Sequence, residues 1–85
     1  MLHTILRHPA LRAESGYSRS TIYLRIKEGL WVRPIRLGPR AVGFPASEVD
    51  ALNGARIAGK TDAEIRELVK ALHAKRKSQT AISGL

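Results

Sequence analysis

One short stretch of the sequence concentrates side chains that bind a polyanion. It carries two bases, two small hydroxyls and one phenol, namely Arg19, Ser20, Thr21, Tyr23 and Lys27. Guanidinium and ammonium groups bind phosphate oxygens, and hydroxyl and amino groups also form hydrogen bonds with base edges. Such side chains act together only if one rigid element presents them on a common face.

The same stretch has the pattern of a capped helix. Ser18 is a suitable N-cap, and Gly29 can end the helix after Glu28. Ile22 and Ile26 stand four residues apart and so share one face. At about 100° per residue, turning these isoleucines inward leaves the outward half to Ser20, Tyr23, Leu24 and Lys27.

Structural alternatives stay open for several residues of this region. Ser18 and Thr21 could serve only to cap the helix, and the bases could form a solvated face. Leu24 could contact a thymine methyl group, or pack under the hairpin or against the first helix. Arg25 could run its stem along the edge of the core toward a phosphate or a neighbouring carboxylate. Trp31 is interpreted as a core residue.

A second basic cluster follows in a predicted β-hairpin. The runs Ile35–Leu37 and Val42–Phe44 alternate apolar residues with others, and Gly38-Pro39 between them is a turn signal. Arg36 and Arg40 flank this turn, where a guanidinium can bind a phosphate or enter a minor groove. Either could instead be an ordinary solvated arginine, although Arg33 adds a third base nearby.

Further helices are predicted on both sides of these elements. A short helix is expected from Pro9 to Ser15, since proline suits a first helical position and the glycine that follows suits a helix end. Pro45 and Ser47 introduce a third helix. Helix, tight turn, capped helix and hairpin are the order of a winged helix-turn-helix, whose second helix enters the major groove. We therefore expect a mainly α fold with a small β-hairpin, and a DNA-binding domain over residues 1–57.

The strongest helical pattern lies in the C-terminal part. Thr61 and Glu64 form a capping box, and an apolar stripe follows at the spacing of one helix face: Ile65, Leu68, Val69 and Leu72. This predicts an amphipathic helix over residues 61–77 and a flexible tail over residues 78–85. The stripe could complete the core, or it could pair with a second copy or with a partner such as an integrase.

Charge points to the class of partner. The 85 residues suffice for one small domain, and 15 Lys and Arg against 7 Asp and Glu give a formal charge of +8. Eight of the bases and two of the acids precede residue 46, so the first part carries most of the excess. The chain has no cysteine and no apolar run of the roughly 18 residues that a membrane helix needs. We expect a cytoplasmic protein that binds a polyanion and no membrane.

The residue types argue against catalysis. His3, His8 and His73 have no acidic pair beside them, so a metal site or general acid–base chemistry is not predicted. The glycine-containing run from Gly38 to Gly43 lacks the Lys-Ser/Thr of a phosphate-binding loop. We therefore expect no enzyme activity, no cofactor, no metal and no small-molecule substrate.

Three linked motifs between Ser18 and Val49 agree with one family. They are Ser18-Arg19-Ser20-Thr21-Ile22-Tyr23 with Ile26-Lys27-Glu28-Gly29, then Pro34-Ile35-Arg36-Leu37-Gly38 with Arg40-Ala41-Val42-Gly43-Phe44, and finally Ser47-Glu48-Val49. In this order, over roughly residues 5–57, the chain resembles the AlpA family of phage and prophage regulators. The resemblance implies a MerR-like or excisionase-like winged helix that binds DNA in a mobile genetic element.

Three functions are compatible with this reading. The first is a sequence-specific binder of double-stranded DNA that acts as a transcriptional regulator, or as an excisionase (recombination directionality factor) that helps an integrase. The second is an adaptor that recruits a protein through the C-terminal helix, with DNA binding secondary. The third, an RNA-binding protein, is disfavoured because the chain has no aromatic stacking platform. DNA contacts are expected from Arg19, Ser20, Thr21, Tyr23, Lys27, Arg36 and Arg40, and protein contacts from the apolar stripe.

Overall fold

The described part of the chain folds into four helices packed with a small antiparallel sheet. The computed structural model describes residues 4–83, with side chains through residue 77. Its elements, in chain order, are β1 (Ile5–Leu6), α1 (His8–Ser15), α2 (Arg19–Lys27), β2 (Ile35–Gly38), β3 (Ala41–Pro45), α3 (Ala46–Ile57) and α4 (Asp62–Ser83). This confirms a mainly α winged helix-turn-helix followed by a C-terminal helix.

The turn between α1 and α2 is made by local signals. Gly16 has a φ of 77° and donates its N–H to the Arg12 carbonyl, which ends α1. Ser18 then accepts the N–H of Thr21 at 3.3 Å, which starts α2. At the far end of α2, Gly29 again has a φ of 77°, a conformation that costs glycine little. The predicted boundaries of both helices hold to within one residue.

The sheet has one strand that the sequence did not predict. Its order is β1-β3-β2, so the hairpin strand β3 is central. In β1, Ile5 pairs with Pro45 and Leu6 with Phe44. Gly43 of β3 lies under this pairing: a Cβ there would overlap Ile5 Cγ2 and lie 3.2 Å from the Leu6 carbonyl oxygen. The absence of a side chain at position 43 therefore lets β1 close onto β3.

The core draws on every helix and on the segment between α2 and β2. Its buried members are Leu11, Ile22, Leu30, Trp31, Val32, Phe44, Val49, Leu52, Ile65 and Val69. Leu68 and Leu72 of α4 pack against this cluster and are partly buried. The apolar stripe of α4 thus completes the core, which is one of the two roles that the sequence left open. The two predicted units, residues 1–57 and 61–77, share this single core.

Polar contacts fix α4 on the same side of the domain. Arg76 forms a bidentate ion pair with the buried Glu48, with Nε 2.9 Å from Oε2, and also donates to the Arg33 carbonyl at 2.8 Å. The backbone N–H of Arg33 donates to Nε2 of His73 at 3.1 Å. Arg66 donates to the Glu28 carbonyl at 3.0 Å. These bonds tie α4 to the end of α2 and to the chain just before β2.

The start of α4 confirms the predicted capping box, whereas its end differs from the prediction. The Thr61 hydroxyl accepts the Glu64 N–H at 3.2 Å, and the Glu64 carboxylate accepts the Thr61 N–H at 3.0 Å. The helix continues past Lys77 to Ser83. The flexibility predicted for the tail stays a prediction, and residues 84–85, like His3, lie outside the described residues.

Candidate nucleic-acid interface

The outward face of α2 is the first part of the candidate site. Tyr23 is 38% exposed and Leu24 55% exposed, and Ser20 and Lys27 are exposed as well. Ile22 is buried and Ile26 packs against the core, as their spacing predicts. Of the two interpretations left open for Leu24, its exposure favours the one in which the side chain is available to a ligand.

Thr21 belongs to the helix cap. Its hydroxyl lies 3.0 Å from the Ser18 hydroxyl, and its N–H is the one that Ser18 accepts. The residue is half-buried, whereas Ser20, whose hydroxyl is 3.3 Å from Ser18, is exposed. Thr21 therefore takes part in the helix cap, as one of the two interpretations of the sequence predicts, and the exposed Ser20 hydroxyl is the more accessible to a ligand.

Tyr23 is held in place by two neighbours. The His8 Nε2 lies 3.2 Å from the Tyr23 hydroxyl, and the two ring centroids are 5.6 Å apart. The Arg19 guanidinium carbon lies 6.0 Å from the centroid of the Tyr23 ring, at the limit of a cation–π contact. The His8 ring also meets the edge of the buried Phe44 at 5.8 Å. Tyr23 is thus linked through His8 to the core.

An open cavity lies beside the first turn of α2. It has a volume of about 480 Å³ and is lined by Arg7, His8, Pro9, Arg19, Arg40 and Val42. The structure therefore brings Arg19 of α2 and Arg40 of the hairpin turn to one place. None of the six lining residues is acidic.

Sequence reasoning missed two members of this cavity. Arg7 counted only toward the charge, and His8 was considered only as a metal ligand or a catalytic base. Arg7 lies between β1 and α1 and His8 is the first residue of α1, so the pairing of β1 with β3 carries both to the hairpin. The one signal in the sequence was Arg7-His8 directly before Pro9, which adds one basic and one titratable side chain at a predicted helix start.

Arg36 stands apart from the cavity. It lies on the edge strand β2, is exposed and pairs with Val42 across the hairpin. Cross-strand partners in an antiparallel pair share a face, so Arg36 and the cavity-lining Val42 lie on the same side of the sheet. Arg40 lines the cavity, and Arg36 does not.

Arg25 and Trp31 take structural positions. The Arg25 guanidinium carbon lies 5.4 Å from the centroid of the Tyr17 ring, and the Tyr17 ring meets Trp31 edge-on at 5.9 Å. Trp31 is buried, which confirms its interpretation as a core residue, and its Nε1 has no hydrogen-bond partner among the described residues. Arg25 therefore covers the core through Tyr17 rather than pairing with a carboxylate of residues 4–77.

Burial and nearby positive charge lower the pKa of both described histidines. For His8 the larger cause is burial, followed by the charges of Arg19 and Arg7. For His73 it is again burial, followed by Arg33 and Arg76, while Glu48 acts in the opposite direction. The neutral imidazole is thus the favoured form at both positions near neutral pH.

The described residues show neither a metal cluster nor a membrane-spanning helix. No three or more His, Cys, Asp or Glu side chains come together there as a metal site. Within the same part of the chain, no helix combines the length and the apolar composition that crossing a bilayer requires. That the protein uses no metal or cofactor and catalyses no reaction stays a prediction.

Comparison with known proteins returns one family. A family model described as "Prophage CP4-57 regulatory protein (AlpA)" matches residues 4–52. The matched span is more than half of the 85 residues. It includes β1, the helix-turn-helix, the hairpin and the start of α3, and it ends before α4. No curated protein and no solved structure matches the chain.

Proposed function

The chain belongs to the AlpA family of prophage regulatory proteins, and we propose on that basis that it is a sequence-specific binder of double-stranded DNA in a mobile genetic element. In this proposal α2 enters the major groove and the hairpin is the wing that contacts the flanking backbone. The protein then acts either as a transcriptional regulator or as a recombination directionality factor that assists an integrase.

One observation carries the proposal. Arg19 both lines the basic cavity and lies against Tyr23, so it joins the exposed face of α2 to the cavity and to Arg40. The joined surface offers polar groups for base edges on α2 and guanidinium groups for phosphates beside it. A surface that combines the two kinds of contact suits a duplex better than it suits an acidic protein, which offers no base edges.

The first test is binding to DNA. Fluorescence anisotropy should be measured on duplexes tiled across the control region and the attachment site of the element that encodes the protein. We expect one or a few tiles to bind well above the rest, with log K falling by about 0.9 per phosphate contact for each unit of log salt. Equal binding to all tiles, or a salt slope near zero, would contradict a sequence-specific DNA binder.

A matched pair of variants locates the interface. Lys27→Gln removes one charge from the exposed end of α2, and Lys70→Gln removes one charge from the exposed face of α4, where the ammonium lies 3.4 Å from Glu67. We expect Lys27→Gln to weaken binding to the preferred tile and Lys70→Gln to leave it nearly unchanged. The reverse order would place the DNA on α4.

A second experiment separates the two roles. Excision can be measured in vitro with the integrase of the same element, and transcription can be measured from the promoter nearest the preferred tile. A directionality factor stimulates excision by binding the attachment site, whereas a regulator changes transcription and leaves excision unchanged. A protein that binds the tile but changes neither would leave only the DNA-binding part of the proposal standing.

A further inference from the structure

The basic cavity gathers three arginines from three elements. Arg7 is the N-cap of α1, Arg19 is the first residue of α2, and Arg40 lies in the turn of the hairpin. None of the three forms an ion pair with a carboxylate of residues 4–77. The cavity therefore carries positive charge that no lining carboxylate offsets, and this charge attracts an anion.

The guanidinium group defines which anion is suited. Its planar fork of N–H donors matches the oxygens of a phosphate, and several such forks can surround one phosphate group. The cavity is open and holds about 480 Å³, which leaves room for a phosphate attached to its sugars. It lies between the first turn of α2, which is proposed to enter the major groove, and the tip of the wing, which is proposed to contact the flanking backbone, so the DNA strand that joins these two contacts would pass it.

His8 supplies a fourth group whose charge can change. Its Nε2 is engaged by the Tyr23 hydroxyl, and its Nδ1 has no hydrogen-bond partner among the described residues. The charged or titratable groups around it are Arg7, Arg19 and Arg40 of the cavity, Arg12 of an adjoining smaller cavity that Arg19 also lines, and Tyr23. No carboxylate lines either cavity.

We propose that this cavity binds one phosphodiester group of the DNA backbone through Arg7, Arg19 and Arg40, and that His8 takes up a proton when the phosphate binds. The proposal rests on the proposed function and adds to it a single phosphate site and its coupling to pH. In the free protein, burial and the charges of Arg19 and Arg7 depress the pKa of His8. A phosphate in the cavity offsets that positive charge and raises the pKa again, so DNA binding tightens as the pH falls.

Neutral phosphate analogues test the site itself. A methylphosphonate scan of the preferred duplex removes one backbone charge at a time. We expect one position in each bound site at which the neutral analogue weakens the wild type by about tenfold, the effect of losing one charge-assisted contact. The same analogue should weaken Arg7→Gln by a clearly smaller factor than the wild type, because that variant has already lost one of the three guanidinium groups that bind this phosphate, while Lys70→Gln should respond like the wild type.

The response of Arg7→Gln to the same scan can also overturn the proposed phosphate site. If the affinity of Arg7→Gln falls by the same factor as that of the wild type at every methylphosphonate position, Arg7 contacts none of these phosphates. Binding of DNA to the preferred tile would persist in that case, so the proposed function would survive. If no duplex binds at all, the proposed function fails first.

A pH series tests the role of His8. The dissociation constant for the preferred duplex should be measured from pH 5 to pH 8 for the wild type, His8→Gln and His73→Gln. One linked proton raises the affinity by at most tenfold for each unit that the pH falls. We expect a rise in the wild type and in His73→Gln and a flat profile in His8→Gln, whose amide can still bond to Tyr23. A rise in His8→Gln equal to that of the wild type would overturn the coupling.

Inorganic phosphate serves to distinguish a site for the phosphodiester of DNA from a site for a free phosphate ion. The imidazole resonances of His8 can be titrated by NMR in the free protein, with millimolar inorganic phosphate, and with the duplex. We expect the duplex to raise the pKa of His8 and inorganic phosphate to leave it close to its value in the free protein. An equal rise with both, together with a methylphosphonate scan that shows no sensitive position, would make the cavity a site for a free anion and overturn the proposal.

Discussion

The Nε2 of His8 lies 3.2 Å from the hydroxyl oxygen of Tyr23, so a residue at the start of α1 holds a side chain of α2. The contact restricts the conformations open to Tyr23 before any ligand is bound. A side chain that is already ordered loses less entropy on binding than a free one. Tyr23 is thereby suited to contact a base edge with a defined geometry.

Tyr23→Phe tests this role. The variant keeps the ring beside His8 and Arg19 and loses only the hydroxyl. Because the hydrogen bond is exposed, we expect a loss in free energy of unfolding below about 1.5 kcal/mol. Discrimination between the preferred duplex and single-base variants should fall by about 1–3 kcal/mol at one position, measured by competition anisotropy. An equal loss on every duplex would show that the hydroxyl contacts no base edge.

Arg40→Ala is expected to behave differently. Arg40 lines the cavity and so is placed for the backbone, which carries no direct sequence information. Its removal should weaken all duplexes by similar factors, whereas Lys27→Ala or Ser20→Ala on α2 should alter the preference among them. The same competition panel measures both effects. A wing variant that changed base preference as strongly as the α2 variants would contradict this division.

Leu68→Asp tests the place of α4 in the core. The variant puts a carboxylate against the buried cluster that includes Ile65 and Val69, so we expect a clearly lower melting temperature. Affinity for DNA with one site and with several sites should fall together. Ala71→Asp, on the exposed face of α4, is the matched control and should melt near the wild type. Unchanged melting with a loss of cooperative binding alone would instead assign the stripe to self-association.

The ion pair between Arg76 and Glu48 should contribute strongly to stability. The Glu48 side chain is 8% exposed, so Arg76→Met leaves a buried charge without its bidentate partner. We expect a loss of about 3–5 kcal/mol in urea denaturation, and a smaller loss when Glu48→Gln is added. Arg56→Met is the control, since its pair with Asp62 is largely exposed and should contribute at most about 1 kcal/mol. Equal small losses in both would contradict the buried role.

His73 predicts a dependence of stability on pH. Its pKa is lowered from 6.5 by burial and by Arg33 and Arg76. The folded state therefore binds a proton less readily than the unfolded state. The contribution of neutral His73 to the free energy of unfolding is complete above pH 6.5 and is lost as the pH falls through the pKa that His73 has in the folded state. Urea denaturation at pH 7.5 and pH 5 should show a smaller difference for His73→Gln than for the wild type. His8→Gln measures the share of His8, and equal differences in all three proteins would contradict the prediction.

The parts of the fold that the sequence predicted depend on neighbours along the chain. The Ser18 cap acts within α2, and the Thr61 and Glu64 side chains bond to each other's backbone. The hairpin turn likewise joins two adjacent strands, although it is formed by Pro39-Arg40, one residue later than predicted, because Gly38 is the last residue of β2 and pairs with Ala41. Each signal lies within a few residues of its effect, so residue type and spacing suffice to identify it.

The parts that the sequence did not predict depend on distant partners. Ile5–Leu6 is too short to show alternation, and it pairs as a strand with β3, where Gly43 leaves room for it. Arg7 and His8 belong to the candidate site because they line one cavity with Arg40, which lies far along the chain. The stripe on α4 showed which face is buried, whereas its partners, like the Arg76–Glu48 pair, depend on how distant elements meet.

The hydrogen bonds between α4 and the backbone of Arg33 affect how the wing is held. Both backbone polar groups of Arg33 bond to α4, the N–H to His73 and the carbonyl to Arg76. The next residue, Pro34, has a fixed φ, and β2 begins directly after it. The two bonds to α4 thus fix the end of the wing that precedes β2. A variant that loosens α4 is therefore expected to change the position of the hairpin turn at Arg40 as well.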